Sequence, residues 1–405
     1  MTEKVNFACM AAVAAVLWTS PVSAETIRVE PGEGAQERLQ EALILAEPGD
    51  EIVLGEGRFE LTDGLSLDVD GVTLRGAGSE FSVLDFTAQQ GAGEGLLVTS
   101  DNVTLRDFGM ENPKGDGIKS KGADAIVYYK IRVEWTGGPL ETNGAYAIYP
   151  VESNEVLVDS VHVSGASDAG IYVGQSTNIV VRNSVAEYNV AGIEIENSRK
   201  ARVTGNFVSH NTGGILVFDL PNLPVMGGGE VLVDHNLVID NDTINFAPKG
   251  NIVASVPMGA AMMVIANDDV TIAHNVVSGN ATAGVMVVSY TQDFDDPRYN
   301  PYPREVVVSE TNSFYNNGFN PQFEGGTQLA QAFGGRIPTV LWDGLGGNAL
   351  KAHSSVGIVS LGLPEIGADL SRAQPAPVQG SMTEADGARS YIMQMRPEIE
   401  ARITP

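Results

Sequence analysis

Three segments of the chain overlay on one another at a fixed step of 22 residues: Ala169-Gly170-Ile171-Tyr172-Val173, Ala191-Gly192-Ile193-Glu194-Ile195 and Gly213-Gly214-Ile215-Leu216-Val217, with a glycine at 170, 192 and 214. A constant step of that length marks stacked structural units, each too small to bury its own apolar face. Between the first two lies a second alternating run, Asn178-Ile179-Val180-Val181-Arg182-Asn183, matched after the next by Ala201-Arg202-Val203-Thr204-Gly205-Asn206. Two short β-branched strands per step, punctuated by Gly, Asn, Asp and Ser, predict coils of parallel β-structure. Leucine-rich repeats have a similar period but need a Leu-x-x-Leu-x-Leu spine, and helical repeats need longer apolar patterns with less Gly and Asn. Neither pattern is present.

A solenoid grows by adding rungs, so the 405 residues are expected to form one long all-β domain. The 46 glycines fit a turn-rich protein. A net charge of -27, from 51 acidic and 24 basic residues, opposes binding to nucleic acid or to anionic lipid. It leaves room for a local cationic stretch such as Lys114 to Lys121. Residues 1–24 read as an export signal peptide: Lys4, an apolar core from Phe7 to Trp18, and a Val22-Ser23-Ala24 cleavage pattern. That core is too short to span a bilayer, so no transmembrane anchor is expected and the destination is periplasmic or secreted. Cys9, the only cysteine, leaves with the signal, which excludes disulfides, thiolate metal sites and a Cys nucleophile from the mature chain.

Residues 25–55 read as an N-terminal cap. Thr26 to Glu30 is strand-like, Ala35 to Ala46 places Leu39, Ala42, Leu43 and Ala46 at helical spacing, and Pro48-Gly49-Asp50 precedes a first rung at Glu51 to Leu54. A helix here would cover the open apolar end of the coil. Rungs are expected over 56–318, interrupted by inserted loops at 219–229, 242–259 and 293–304, and insertions of this kind are disproportionately functional. Residues 319–405 lose the period and read as an irregular C-terminal cap or tail with a short helix near Arg389 to Ile403.

The Ala-rich helix, Pro48-Gly49-Asp50, and the glycine-led coils with Asn-Ile-Val-Val-Arg-Asn strands resemble the right-handed parallel β-helix proteins, the superfamily that includes pectate lyases, alginate epimerases and periplasmic NosD-type proteins. The resemblance runs from the mature terminus to about Phe319. More narrowly, Gly170 to Ser176, Gly192 to Asn197, Phe218 to Pro224 and Asn245 to Asn251 resemble an exported β-helix family of unassigned role, often encoded beside a second exported protein. The resemblance implies an all-β right-handed parallel β-helix solenoid, and fold alone does not fix function. The Asp-Pro-His-Asp signature of the epimerases is reduced here to Asp295-Asp296-Pro297-Arg298, which lacks the histidine. The clustered Asp ligands and strand-end Arg of calcium-dependent pectate lyases have no match.

Alternation sends Ile171/Val173, Ile193/Ile195 and Ile215/Val217 inward and leaves Tyr172, Glu194 and Leu216 in one outward column. Tyr149, Lys119 and Met263 extend it, while Gln175, Glu196 and Asp219 fall near the turn that leaves the strand. Stacked strands lie about 4.8 Å apart, so these side chains are neighbours. A solvated shelf of this kind offers aromatic faces to sugar rings and carboxylates or amides to hydroxyls. Glu194, Glu196 and Tyr172 are therefore the candidate catalytic residues, and Lys119, Tyr149, Gln175 and Asp219 the candidate substrate contacts. The plainer reading makes Glu194 and Glu196 only the wet face of a sheet, so that Glu194→Ala would cost little.

Asn183, Asn206, Asn236 and Asn275, with Asn189, Asn211, Asn241 and Asn280, recur at strand ends as expected of stacked turn ladders. His162, His210, His235 and His274 have no partner at ligand spacing and read as turn packing. Asp293, Asp295 and Asp296 offer oxygen ligands to calcium, but without EF-hand spacing or a bidentate Glu, so no cofactor is evident. The leading functional expectation is an exported protein that binds, and cleaves or epimerises, a polysaccharide or oligosaccharide on its exterior strand face. The alternative is a non-enzymatic periplasmic scaffold that docks a second exported protein or assists metal-centre assembly.

Overall fold

The computed structural model describes residues 24–404 other than 92, 348, 381 and 383–391. The expected export signal, apart from Ala24, lies outside them, as does Cys9. Each regular rung crosses three short strands, as in Ala169–Gly174, Thr177–Arg182 and Val185–Glu187, before the next begins at Ala191–Glu196. The first kind stacks into a front sheet of twelve strands, the second into a back sheet of twelve, and the third into a short sheet of ten. Pairing is parallel throughout except at the last front strand, where Ile358–Ser360 meets Ala376–Val378 antiparallel. In the regular zone Ile171 aligns with Ile193 and Ile193 with Ile215, so the 22-residue step of the sequence is one turn of the coil.

The interior follows from this register. Ile171, Ile193 and Ile215 stack inside with Val173, Ile195 and Val217, in one apolar core that runs from the N-terminal helix to Ile358. Glycine recurs before these isoleucines because there is no room for a side chain: a Cβ on Gly192 would lie 2.5 Å from the Val208 side chain and 2.8 Å from Gly214 O. The helix Ala35–Leu45 closes the first rung, with Leu39 and Leu43 buried in the same core.

Corners are set by side-chain ladders. Asn189, Asn211, Asn241, Asn280 and Asn317 pass hydrogen bonds from rung to rung at 3.0 Å. A second ladder joins Asn206, Asn236, Asn275 and Asn312 at 2.9–3.0 Å. Asn183 is not part of it, contrary to the sequence expectation. Ser184 takes the corner, its N–H donating to Asn206 Oδ1 and its Oγ accepting from Val161 N–H at 3.2 Å, while Asn183 occupies the adjacent left-handed position at φ 52°. His235 and His274 hold the same kind of left-handed turn position, with rings stacked at 4.9 Å.

The coil carries past residue 318, where the period was expected to end. Val340–Trp342 and Ile358–Ser360 extend the front sheet and Leu350–Ala352 the back sheet. A long excursion containing the helix Gly326–Ala332 separates them from the regular rungs, which hides their step in the sequence. The final segment returns to the N-terminal half. Met393, Met395 and Ile399 cover Val127, Leu157 and Val180 on the outer face of the back sheet, and Arg182 pairs with Glu400 at 2.6 Å. Among the described residues, no helix is long and apolar enough to cross a membrane.

Candidate functional site

Tyr172, Glu194, Leu216 and Met263 do form one outward column of the front sheet, with Lys119 beside Tyr149 further up. The expected solvated shelf is nevertheless absent. Tyr172 is 4% exposed, Glu194 2% and Asp219 2%, because the inserted loops and the excursion that contains the helix Gly326–Ala332 fold over this face. Val253, Val256, Tyr290, Tyr299 and Leu329 join Tyr172 and Leu216 there in a second apolar cluster outside the coil. The upper end stays half-buried, at Lys119, Tyr146 and Tyr149. Glu194→Ala is thus a change in a dry interior, not on a wet surface.

At the junction of the open and covered parts, three tyrosines meet. The Tyr146 ring lies 4.5 Å from that of Tyr149 and 4.6 Å from that of Tyr172, and Tyr149 meets Tyr172 edge-on at 5.0 Å. Lys119 Nζ sits 5.0 Å over the Tyr149 ring and 3.0 Å from Glu94 Oε1, with Asp116 at 3.8 Å. Beneath the rings are three buried carboxyl groups. Tyr172 Oη donates to Glu196 Oε1 at 2.7 Å. Asp168 Oδ2 accepts from Asn251 Nδ2 at 3.2 Å and from Tyr146 Oη at 3.5 Å. Glu194 lies within hydrogen-bonding reach of Glu196, and its Oε2 is buried with no donor among the described residues.

Burial dominates the electrostatics here. It raises the Asp168 carboxyl to about 7, with the Glu196 charge adding to the effect. Burial, then Asp168 and Glu196, push Glu194 well above the usual carboxylate range. Glu196 is also raised by burial, against the pull of the Tyr172 hydroxyl. Two carboxyls in contact in a dry site are stable only when they share a proton. Asp116 is lifted to about 6 by burial despite Lys119, and Tyr149 to about 12 by burial and the Asp116 charge.

Of the residues expected to act together, the structure joins Tyr172, Glu194 and Glu196 directly and Tyr149 and Lys119 at the edge. Gln175 takes a left-handed turn position, its N–H donating to Glu196 O at 2.9 Å. Asp219 is a loop clamp: its carboxylate accepts from Gly227 and Gly228 N–H at 2.9 and 3.0 Å, and its carbonyl from Tyr299 Oη at 2.6 Å. Sequence reasoning missed Asp168, Tyr146 and Asn251. Asp168 had a signal, since it stands where the next two rungs have Val190 and Thr212, before the glycine-led strand. Asn251 lay in a singled-out stretch, the inserted loop 242–259, but its contact with Asp168, 83 positions away, had no local signal. Among the described residues no group of His, Asp and Glu is arranged to hold a metal ion.

Residues 70–225 match a family model described as a right handed beta helix region. The structure is similar to the A-module of mannuronan C-5 epimerase AlgE4 of Azotobacter vinelandii, at 14% identity and a TM-score of 0.51, over 81% of this chain and 94% of that one. The AlgE6 A-module of the same organism gives 16% identity and 0.53 over 81% and 84% of the two chains. PfbA, a surface adhesin of Streptococcus pneumoniae, gives 10% and 0.50 over 84% and 90%. No curated protein matches the chain. At these identities the likeness is one of fold, and together with the matched repeat region and the three stacked sheets it gives this chain a right-handed parallel β-helix fold.

Proposed function

We propose that the protein binds a polysaccharide of low acidity along Lys119, Tyr149 and Tyr146, and hydrolyses it with the carboxyl cluster behind these residues. The observation that carries this reading is the junction itself: three tyrosine rings packed against Asp168, Glu194 and Glu196, with Asp168 poised near neutral pH. Aromatic rings stack on sugar faces, and glycoside hydrolysis needs one carboxyl that keeps its proton beside another that can lose it. Asp168 suits the general acid, because burial holds its proton to about pH 7. Glu196, oriented by Tyr172 Oη, is its partner, and Glu194 tunes Glu196 through the proton they share. The surrounding Glu94 and Asp116 set Lys119 against two carboxylates, so a uronate chain would meet net repulsion and a neutral or amino sugar would not. Asn251 must release Asp168 for a sugar to reach it. The fold neighbours support a glycan in general terms, since the epimerase modules act on mannuronan by name.

The test is to incubate the protein with neutral, amino and uronate polysaccharides and to assay new reducing ends alongside binding. Wild type should release reducing ends from a neutral or amino glycan, and Asp168→Asn should lose at least a hundredfold in rate while binding persists. Tyr149→Ala should weaken binding instead. Unsaturated products from uronate polymers would replace hydrolysis by elimination, and absence of binding to every glycan would leave the scaffold alternative.

A further inference from the structure

The outer face of the front sheet holds a second feature, on the far side of the loop that carries Asn251. There, Met263, Ile265, Met286, Val288 and Leu341, outward residues of successive rungs, floor a cavity of about 470 Å³. The turn Ile252–Ser255 forms one wall and Leu363 belongs to the opposite one. The volume is that of a small-molecule site. A smaller hollow of about 280 Å³ shares Phe323, Leu361 and Leu370 with it, so the two lie side by side. Among the described residues no Lys, Arg or His lines either space. The charged groups are Asp343, which already accepts from Ser289 and Leu345 N–H at 2.6 and 2.9 Å, and Glu324 in the smaller hollow. Gln292 and Gln322 supply neutral hydrogen-bonding groups.

We propose that this cavity binds a single acyl chain bearing an uncharged head group. Two methionines in the floor suit a flexible apolar guest, because their unbranched thioethers adapt to irregular shapes. The charge pattern selects the head: a carboxylate or phosphate would enter a site that contains carboxylates and no cation, whereas an ester or alcohol can be met by the glutamines. This site stands independently of the glycan reading, which uses neither the methionines nor Leu363.

The probes are 1-octanoyl, 1-decanoyl and 1-dodecanoyl glycerol, each below its aggregation concentration, titrated calorimetrically into the full chain with dodecanoate as the charged comparison. Affinity should rise about fourfold per added methylene until the cavity is filled, then level off. Dodecanoate should bind at least tenfold more weakly than its glycerol ester. Met286→Trp fills the floor and should lower affinity at least tenfold. Leu363→Glu, at a half-buried wall position, should do the same and decides the matter if the tryptophan variant does not fold. The ester titration is run without glycan and reads neither reducing ends nor glycan binding, so a failure of the glycan reading would not touch this result. The proposal is overturned by the absence of saturable ester binding, by affinity independent of chain length, by dodecanoate binding as tightly as the ester, or by unchanged affinity in both variants.

Discussion

A carboxyl group taken out of water beside another carboxyl survives by keeping its proton, and Asp168, Glu194 and Glu196 all show that response. The consequence for stability is measurable at Asp168. Its folded-state value of about 7 exceeds the roughly 3.9 of an unfolded aspartate, so between those values the folded chain binds more protons than the unfolded one. The stabilisation is present in full below pH ~4 and is lost as pH rises through ~7. Glu196 and Asp116 face the group and favour its neutral form, while Asn251 and Tyr146 donate to it and favour the charged one. Asp168→Asn removes the titration and keeps the shape. Urea unfolding at pH 4, 6 and 8 should therefore show wild type losing stability relative to the variant, by on the order of 2–4 kcal/mol across that range. A pH-independent difference would mean that Asp168 is ionised throughout.

Strands and corners were the most legible level, because a β-strand writes its two faces into alternate residues. Ile171, Ile193 and Ile215 could be placed inside from the sequence, and Tyr172, Glu194 and Leu216 outside. Burial of the outside could not be read, since what covers it comes from distant insertions: Tyr299 closes on Asp219 across 80 positions, and no local pattern encodes that contact. The asparagines were legible as a group but not at Asn183, where a strand-end Asn stands one place before the true corner. That difference is itself a prediction. Asn236 accepts from the N–H and Nδ2 of Asn206 and donates to Val203 O and Asn275 Oδ1, so Asn236→Ala leaves buried groups unpaired on both neighbouring rungs. It should cost about 2–5 kcal/mol by chemical denaturation. Asn183→Gly, at a left-handed position that glycine adopts freely, should stay within about 0.5 kcal/mol of wild type. Equal losses at the two sites would remove the ladder from the account of the fold.

At the scale of the whole molecule, stability in a solenoid is a sum of rungs and their interfaces, so a local change should be felt locally. The C-terminal segment is the place to test this, because it ties the end of the chain to rungs far from its own. Ile399 is fully buried on the back sheet, Arg402 Nη1 donates to Ala125 O at 2.7 Å, and Arg182 forms two hydrogen bonds with Glu400 at 2.9 and 2.6 Å. Removing residues 392–405 exposes Val127, Leu157 and Val180 and frees Arg182 from one of its two carboxylate partners, the other being Asp159. Hydrogen exchange should then quicken in the back strands Ile126–Tyr129, Asn154–Asp159 and Thr177–Arg182. The back strand Asp268–Ala273, remote from the segment, should exchange as before. Two point changes separate the contributions: Ile399→Ala removes apolar burial and should act at any ionic strength, whereas Glu400→Gln acts through charge and should matter less in salt. Faster exchange spread evenly from the first rung to the last would show that the coil unfolds as one cooperative unit. Unchanged exchange in all four strands would show that the segment adds nothing to the rungs it covers.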